Sequence, residues 1–450
     1  MSDIKLIKNG LVLLPYGLDE ADLEIENGTI SRIEQDIPIP KGVAVIDADG
    51  KYVLPGFIDI HTNGINGFDL TNGVYDLQTE SFDASREIYL EGLDRALRKY
   101  AETGTTRVVL ASLASPLEKL KLAFEYVREY MSRPKDGAWN DLLHGILVEG
   151  TFMKLPEFSG AHNTEYFNEP SIKLFDKLQE ASGGLIKIVN IVPEWRDAAI
   201  ELIKYVSEKG IVSAAGHTGA TGDEYNLALK NGTKLAIHFL NGPTGSSFKP
   251  FDGGGAVESV LRAEGIFLEI IADGYHVDKA YVLDVIKRKG FDKVVIITDS
   301  MFATSFDGPS RFNMLGVEGK VSENGGYLQI ADRSNALFGS LLTMDVAFAN
   351  VLNWLMTPVE GVWSRVHHPL SFEDALSHVS AMCSANPAKV LGLYSPDPGK
   401  KNAIRDGFTG SIEVGKIADV ILADIPNIDG KYSLEIEQVL VKGRSGKEEP

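Results

Sequence analysis

The chain has 450 residues, 44% of them hydrophobic and 24% charged, an ordinary balance for a folded globular protein. It carries 44 Lys and Arg against 63 Asp and Glu, a net charge of −19, which repels phosphate backbones and anionic lipid and argues against nucleic acid or membrane as a partner. The single cysteine, Cys383, excludes an internal disulfide and a cysteine-based zinc site. The opening Met1-Ser2-Asp3-Ile4-Lys5 has no cationic segment leading into an apolar run. No stretch reaches about 18 uninterrupted apolar residues, so a cytoplasmic protein is expected.

The first fifty residues read as short strands. Residues 4–10 alternate before a turn, residues 23–28 alternate and end on Asn27-Gly28, and residues 44–48 form a third candidate. Asn-Gly between alternating segments is a strong hairpin signal. The middle of the chain changes character. Eight apolar runs lie at residues 56–60, 106–110, 143–148, 186–192, 211–215, 234–237, 266–271 and 293–297. Amphipathic segments such as 84–103, 117–131 and 197–209 separate them. Buried strands alternating with helices predict an α/β fold, a (β/α)₈ barrel, with a doubly wound open sheet as the alternative. Residues 357–369, with Trp363 and His367-His368, read as a surface insertion. Near the C-terminus, residues 410–415, 418–422 and 438–441 return to short strands. Neither end holds enough strands for a stable sheet alone. Residues 1–53 and 406–450 are therefore expected to pair as the halves of one small β-sandwich domain flanking a barrel over residues 54–405.

Barrels of this type carry their active sites at the C-terminal strand ends. Strand one ends in Asp59-Ile60-His61-Thr62-Asn63, strand three in Glu149-Gly150, strand five in Gly216-His217-Thr218 and strand six in His238. Asp273-Gly274-Tyr275-His276 follows strand seven, and Thr298-Asp299 ends strand eight. Five of the nine histidines (His61, His162, His217, His238 and His276) lie at or near these ends. Two histidines and a carboxylate leave an open position for water on a divalent metal, whose charge lowers the pKa of that water toward about 7. Glu149, His217 and His238 fit that donor set; the alternative is a buried Glu–His hydrogen-bond cluster with no ion. Asp299 follows four apolar residues. Desolvated yet close to a cation, it would stay ionised and accept a proton, although an Asp there can also cap the next helix.

The motifs together carry a resemblance. They are Pro55-Gly56-Phe57-Ile58-Asp59, Glu149-Gly150 with Gly160-Ala161-His162-Asn163, Gly216-His217-Thr218-Gly219-Ala220-Thr221 and His238-Phe239-Leu240-Asn241-Gly242. Ile271-Ala272-Asp273-Gly274-Tyr275-His276-Val277, Phe338-Gly339-Ser340 and the tail Gly410-Ser411-Ile412-Glu413-Val414-Gly415 continue the set. The chain resembles the amidohydrolase superfamily and, within it, the N-acetylglucosamine-6-phosphate deacetylases. The resemblance implies hydrolysis of the acetyl amide of an N-acetylated amino sugar, a small-molecule substrate, by a homodimer. It implies one divalent ion per chain (Zn²⁺ first, with Fe²⁺, Mn²⁺, Co²⁺ or Ni²⁺ as alternatives) on Glu149, His217 and His238. Asp299 would be the general base. His162 would polarise the substrate carbonyl, His276 would contact the sugar or its phosphate, and Ala161, Asn241, Gly242, Phe338, Gly339 and Ser340 would line the substrate site.

Two positions depart from the family pattern. Many amidohydrolases carry His-x-His after strand one and bind a second metal there. This chain has His61-Thr62-Asn63, and an amide is a poorer ligand than an imidazole. A single ion is expected, with His61 beside it or holding a second metal. The family's phosphate-binding arginine after strand six is also missing, and Lys249 is the cation present in that region. Another amidohydrolase activity, on an N-acyl amino acid, a cyclic amide or an unphosphorylated N-acetyl sugar, is the alternative. A non-catalytic scaffold has no need of Glu149, His217, His238 and Asp299 together.

Overall fold

Each of the eight apolar runs becomes a strand of one parallel sheet. In chain order the strands are Phe57–Thr62, Thr105–Ser112, Leu143–Phe152, Ile186–Ile191, Val212–Ala215, Thr233–Ala236, Phe267–Ile271 and Val294–Ile297. Neighbours in sequence are neighbours in the sheet throughout. The computed structural model describes residues 3–133, 139–242, 245–247, 249–333, 336–396 and 407–445. All eight residues of Thr105–Ser112 are buried, as in a parallel sheet covered on both faces, and this is why the runs lack polar alternation. Helices return the chain between strands. Arg86–Glu102 buries Tyr89, Leu90, Leu93, Ala96, Leu97 and Tyr100, the spacing of one helical face. The last strand meets the first: Asp299 N–H donates to the His61 carbonyl at 2.9 Å, and Thr298 Oγ1 donates to Asp59 Oδ2 at 2.6 Å.

Three strands run further than the apolar pattern suggested, and two of them carry site residues. Phe57–Thr62 includes His61, and Leu143–Phe152 includes Glu149. Their ladders continue past the apolar residues, with Leu110 opposite Thr62 and Phe152 opposite Ile191. Both polar side chains are therefore held by strand backbone instead of by the loops that follow.

The two ends of the chain share a second sheet of eight strands. Val420–Asp424 lies antiparallel to Tyr52–Pro55 on one side and to Glu435–Val441 on the other. Ile7, Val12, Leu23, Val53, Val420 and Leu440 form its apolar cluster. The strand expected at residues 410–415 is absent; this segment is turns and bends. Gly410 (φ +92°) and Gly415 (φ +88°) leave the extended region at its two ends. It still lies beside Thr29–Glu34, where Gly415 N–H donates to the Ile30 carbonyl and Ile30 N–H to the Lys416 carbonyl. The expected boundary between residues 405 and 406 lies outside the described residues.

After the eighth parallel strand comes a three-stranded antiparallel sheet, Arg311–Met314, Val317–Val321 and Leu328–Ile330. It packs with Phe302 and Phe338 in a separate apolar cluster. Residues 357–369 contain a short hairpin, Val359–Glu360 with Val366–His367, and Trp363 at its turn is 51% exposed. Among the described residues no helix is long and apolar enough to cross a membrane.

Candidate active site

A cavity of about 530 Å³ opens at the C-terminal ends of the parallel strands. Glu149 lies at its floor, 2% exposed. Its Oε1 is 3.0 Å from His238 Nε2 and 3.4 Å from both His217 Nε2 and His61 Nε2, while Oε2 is 3.5 Å from His162 Nε2. Four imidazoles from different segments thus converge on one carboxylate. His61 is as close to it as His217 is. Asp299 faces the group, with Oδ1 3.6 Å from His61 Nε2 and accepting from Asn63 Nδ2 at 2.7 Å.

Hydrogen bonds fix which ring nitrogens carry protons. His217 Nδ1 lies 2.7 Å from the Phe158 carbonyl, which only accepts, so Nδ1 is protonated and the Nε2 lone pair turns toward Glu149. His162 is the reverse. Its Nδ1 accepts the Ala114 N–H at 3.1 Å, leaving Nε2 as the donor into the cavity. His217, His238 and Asp299 all have positive φ, at 54°, 23° and 48°. Such conformations are costly for residues with a side chain and concentrate at functional sites.

The charges are out of balance for a dry interior. Burial alone would depress the His61 imidazole, but the Glu149 and Glu269 carboxylates outweigh it and hold its pKa well above the ordinary value. Burial pushes Glu149 upward, and the neighbouring His61 and His162 charges carry it well below its usual range. Burial raises Asp299 to about 6, with His61 opposing and Glu149 adding to the rise. No Lys or Arg side chain lines the cavity among the described residues. His61 Nε2 and Asn63 Oδ1 are buried without a hydrogen-bond partner. Carboxylate and imidazole atoms that lie within ligand reach of one another, as in the groups His61–Glu149–His238 and Glu149–His162–His217, fit a divalent cation.

The amidohydrolase family profile matches residues 52–446. The chain belongs to the amidohydrolase family. It is similar to an N-acetylgalactosamine-6-phosphate deacetylase of Escherichia coli O157:H7, 28% identical over 429 residues and covering 95% of each chain. It is also 29% identical over 420 residues to an N-acetylglucosamine-6-phosphate deacetylase of Vibrio furnissii, covering 93% of this chain and 88% of the relative. In fold it matches the crystal structure of an N-acetylglucosamine-6-phosphate deacetylase from Pasteurella multocida with a TM-score of 0.76, at 24% identity over 98% of this chain and 99% of the other.

Around the Glu149 group, this amidohydrolase lines its cavity with Ala161, Asn241, Gly242, His276, Phe338 and Gly339 from the expected set. His276 Nδ1 is held by Asp273 Oδ2 at 2.6 Å, and Asn241 Nδ2 donates to the His276 carbonyl at 3.2 Å. The Gly242 N–H is already used by the His238 carbonyl at 2.8 Å. A Cβ at position 242 would stand 2.7 Å from His238 Nδ1, so glycine is what lets the ring sit there. Two expected residues are not brought into the cavity. Ser340 is fully buried and its hydroxyl donates to the Thr298 carbonyl at 2.6 Å, bracing the backbone before Asp299. Lys249 is exposed and outside the lining.

Sequence reasoning missed Glu269, Asp273 as the partner of His276, Asn63 as a donor to Asp299, and the rim pair Tyr275–Tyr327, whose rings are 4.9 Å apart. For Glu269 a signal was present: it is the lone charge inside the apolar run 266–271. A buried carboxylate in such a run calls for a partner.

Proposed function

We propose that this amidohydrolase removes the acetyl group of an N-acetylated amino sugar phosphate, N-acetylglucosamine 6-phosphate first, releasing acetate and the amino sugar phosphate. The observation that carries the reading is the convergence of His61, His162, His217 and His238 on the Glu149 carboxylate, with Asp299 facing them. The similarity to sugar-phosphate deacetylases over nearly the whole chain supports the substrate class. We read the parallel sheet as a closed (β/α)₈ barrel over residues 54–405, with a small β-sandwich domain from residues 1–53 and 406–450, in a cytoplasmic homodimer.

Glu149, His217 and His238 would hold one divalent ion, Zn²⁺ first, with His61 beside them. That ion supplies, when bound, a water acidic enough to attack an amide at neutral pH. Asp299 takes the proton of the attacking water at its carboxylate and returns it to the departing nitrogen. Asn63 holds the Asp299 carboxylate in place for both transfers. His162 presents Nε2–H to the substrate carbonyl oxygen and stabilises the charge that develops there. Ala161, Asn241, His276, Phe338 and Gly339 enclose the sugar.

Among the described residues the lining holds no Lys or Arg, which favours a second reading, an unphosphorylated N-acetyl sugar as substrate. Acetate release from N-acetylglucosamine and N-acetylgalactosamine, each with and without the 6-phosphate, separates the two. Turnover confined to the phosphorylated sugars is the expected result. A higher kcat/KM for the free sugars overturns the phosphate assignment, and no acetate from any of the four overturns the deacetylase reading.

A further inference from the structure

We propose that Glu269 is a positioning residue that holds two histidines of the site at once, His61 through its ring and His238 through its backbone. The inference rests on the reading that the Glu149 cluster binds a divalent ion. Glu269 sits fully buried in Phe267–Ile271, on the same face of the strand as Ile271, which lines the cavity. Its Oε2 lies 2.9 Å from His61 Nδ1 and accepts the His238 N–H at 3.1 Å. Its own carbonyl accepts the Phe239 N–H at 2.8 Å. One residue of the seventh parallel strand therefore grips the turn after the sixth strand and the end of the first.

The grip has two consequences. A carboxylate oxygen only accepts, so His61 Nδ1 carries the proton and Nε2 is aimed between Glu149 Oε1 at 3.4 Å and Asp299 Oδ1 at 3.6 Å. His238 is held with φ at 23°, a conformation that a side-chain-bearing residue keeps only when its surroundings enforce it. The Oε1 atom of Glu269 is buried with no partner, so one oxygen of the side chain does all the positioning. Carboxylates that orient metal-binding imidazoles tune both geometry and affinity, and their loss weakens metal binding about ten- to a hundredfold.

The test compares wild type with Glu269→Gln and Glu269→Leu. In metal-free protein, held at a pH high enough for His61 to be neutral, imidazole nitrogen NMR reads its tautomer; competition with a chromogenic chelator then reads the dissociation constant of added Zn²⁺. Glu269→Gln keeps one acceptor oxygen and the shape but loses the charge. It should retain the Nδ1–H signal of His61 while Zn²⁺ binding weakens about ten- to a hundredfold. Glu269→Leu should lose that tautomer as well. A purely structural role lowers the melting temperature and moves neither readout. Zn²⁺ affinity of the Gln variant within about threefold of wild type, well short of the loss expected for such a partner, overturns the proposal. So does an unchanged His61 tautomer in the Leu variant. Should the Leu variant fail to fold, the isosteric Gln variant still decides. Should wild type bind no divalent ion, the metal reading fails, while the tautomer of metal-free protein still judges the hold of Glu269 on His61.

Discussion

Buried charges gather at both ends of the parallel strands, and the two groups are built on opposite plans. At the N-terminal ends, Arg107 donates from Nε to Asp419 Oδ2 at 3.1 Å and from Nη1 to the Asp141 carbonyl at 2.9 Å. Asp419 also accepts from Thr409 Oγ1 and from the Lys442 N–H, both at 2.9 Å. Asp141 receives Lys442 Nζ at 2.9 Å and Arg444. Two carboxylates there meet three cations from the chain itself. At the C-terminal ends, Glu149, Glu269 and Asp299 meet imidazoles, the Asn63 amide and the His238 N–H. The first group matches each carboxylate with cations, leaving Arg107 Nη2 without a partner, and ties the C-terminal strands to the parallel sheet. The second has no lysine or arginine in its cavity lining among the described residues and leaves His61 Nε2, Asn63 Oδ1 and Glu269 Oε1 unpaired. In the barrel proposed above, such a contrast matches a general division, stability at the N-terminal face and catalysis at the C-terminal one.

Substitutions can break that contrast at either end. The largest effect is expected for Asp299→Asn. Turnover should fall by about 10²–10⁴, the usual contribution of a positioned base, with metal content and melting temperature close to wild type; steady-state kinetics and elemental analysis check it. Arg107→Met should do the reverse. It leaves buried Asp419 short of its cation and should cost about 3–5 kcal/mol in urea denaturation, with turnover per folded molecule unchanged.

Metal removal sharpens the comparison at the C-terminal end alone. Chelation of wild type should lower its stability by about 2.7 kcal/mol relative to protein holding a hundredfold excess of ion over its dissociation constant. His217→Ala and His238→Ala should show neither the metal nor that difference. Gly242→Ala should cost about 1–3 kcal/mol through overpacking, because the new Cβ meets the Ile237 carbonyl oxygen at 2.5 Å as well as the His238 ring. The smallest effect belongs to Lys249→Ala. Exposed and outside the cavity, it should change stability by less than about 0.5 kcal/mol, with KM for phosphorylated and free sugars altered equally little.

The strand pattern was legible because burial on both faces writes itself into local composition. Each apolar run from 56–60 to 293–297 lies on a parallel strand, shifted by a few residues at most. The polar residues at the strand ends were legible for the complementary reason. An ionisable group at the edge of an apolar run stands out, and His61, Glu149, His217, His238 and Asp299 all do. The segment 410–415 misled because alternation does not report backbone angles, and its two glycines take angles that end a strand. Ser340 misled because its motif marks a segment near the substrate without saying which way a side chain turns.

The sequence by itself determined the α/β class, the order of the strands, the union of the two chain ends, and the side chains that gather at one end of the sheet. These follow from periodicity and from the cost of burying charge, which act over a few residues. Only the tertiary structure decided that His61 stands as near Glu149 as His217 does, that Asn63 serves Asp299, and that Glu269 reaches His61 from 208 residues away. It also decided that Lys249 stays outside. Each of those outcomes depends on the register between strands and on the direction of one hydrogen bond. Neither quantity leaves a periodic trace along the chain, since the groups involved are neighbours only after the sheet has formed.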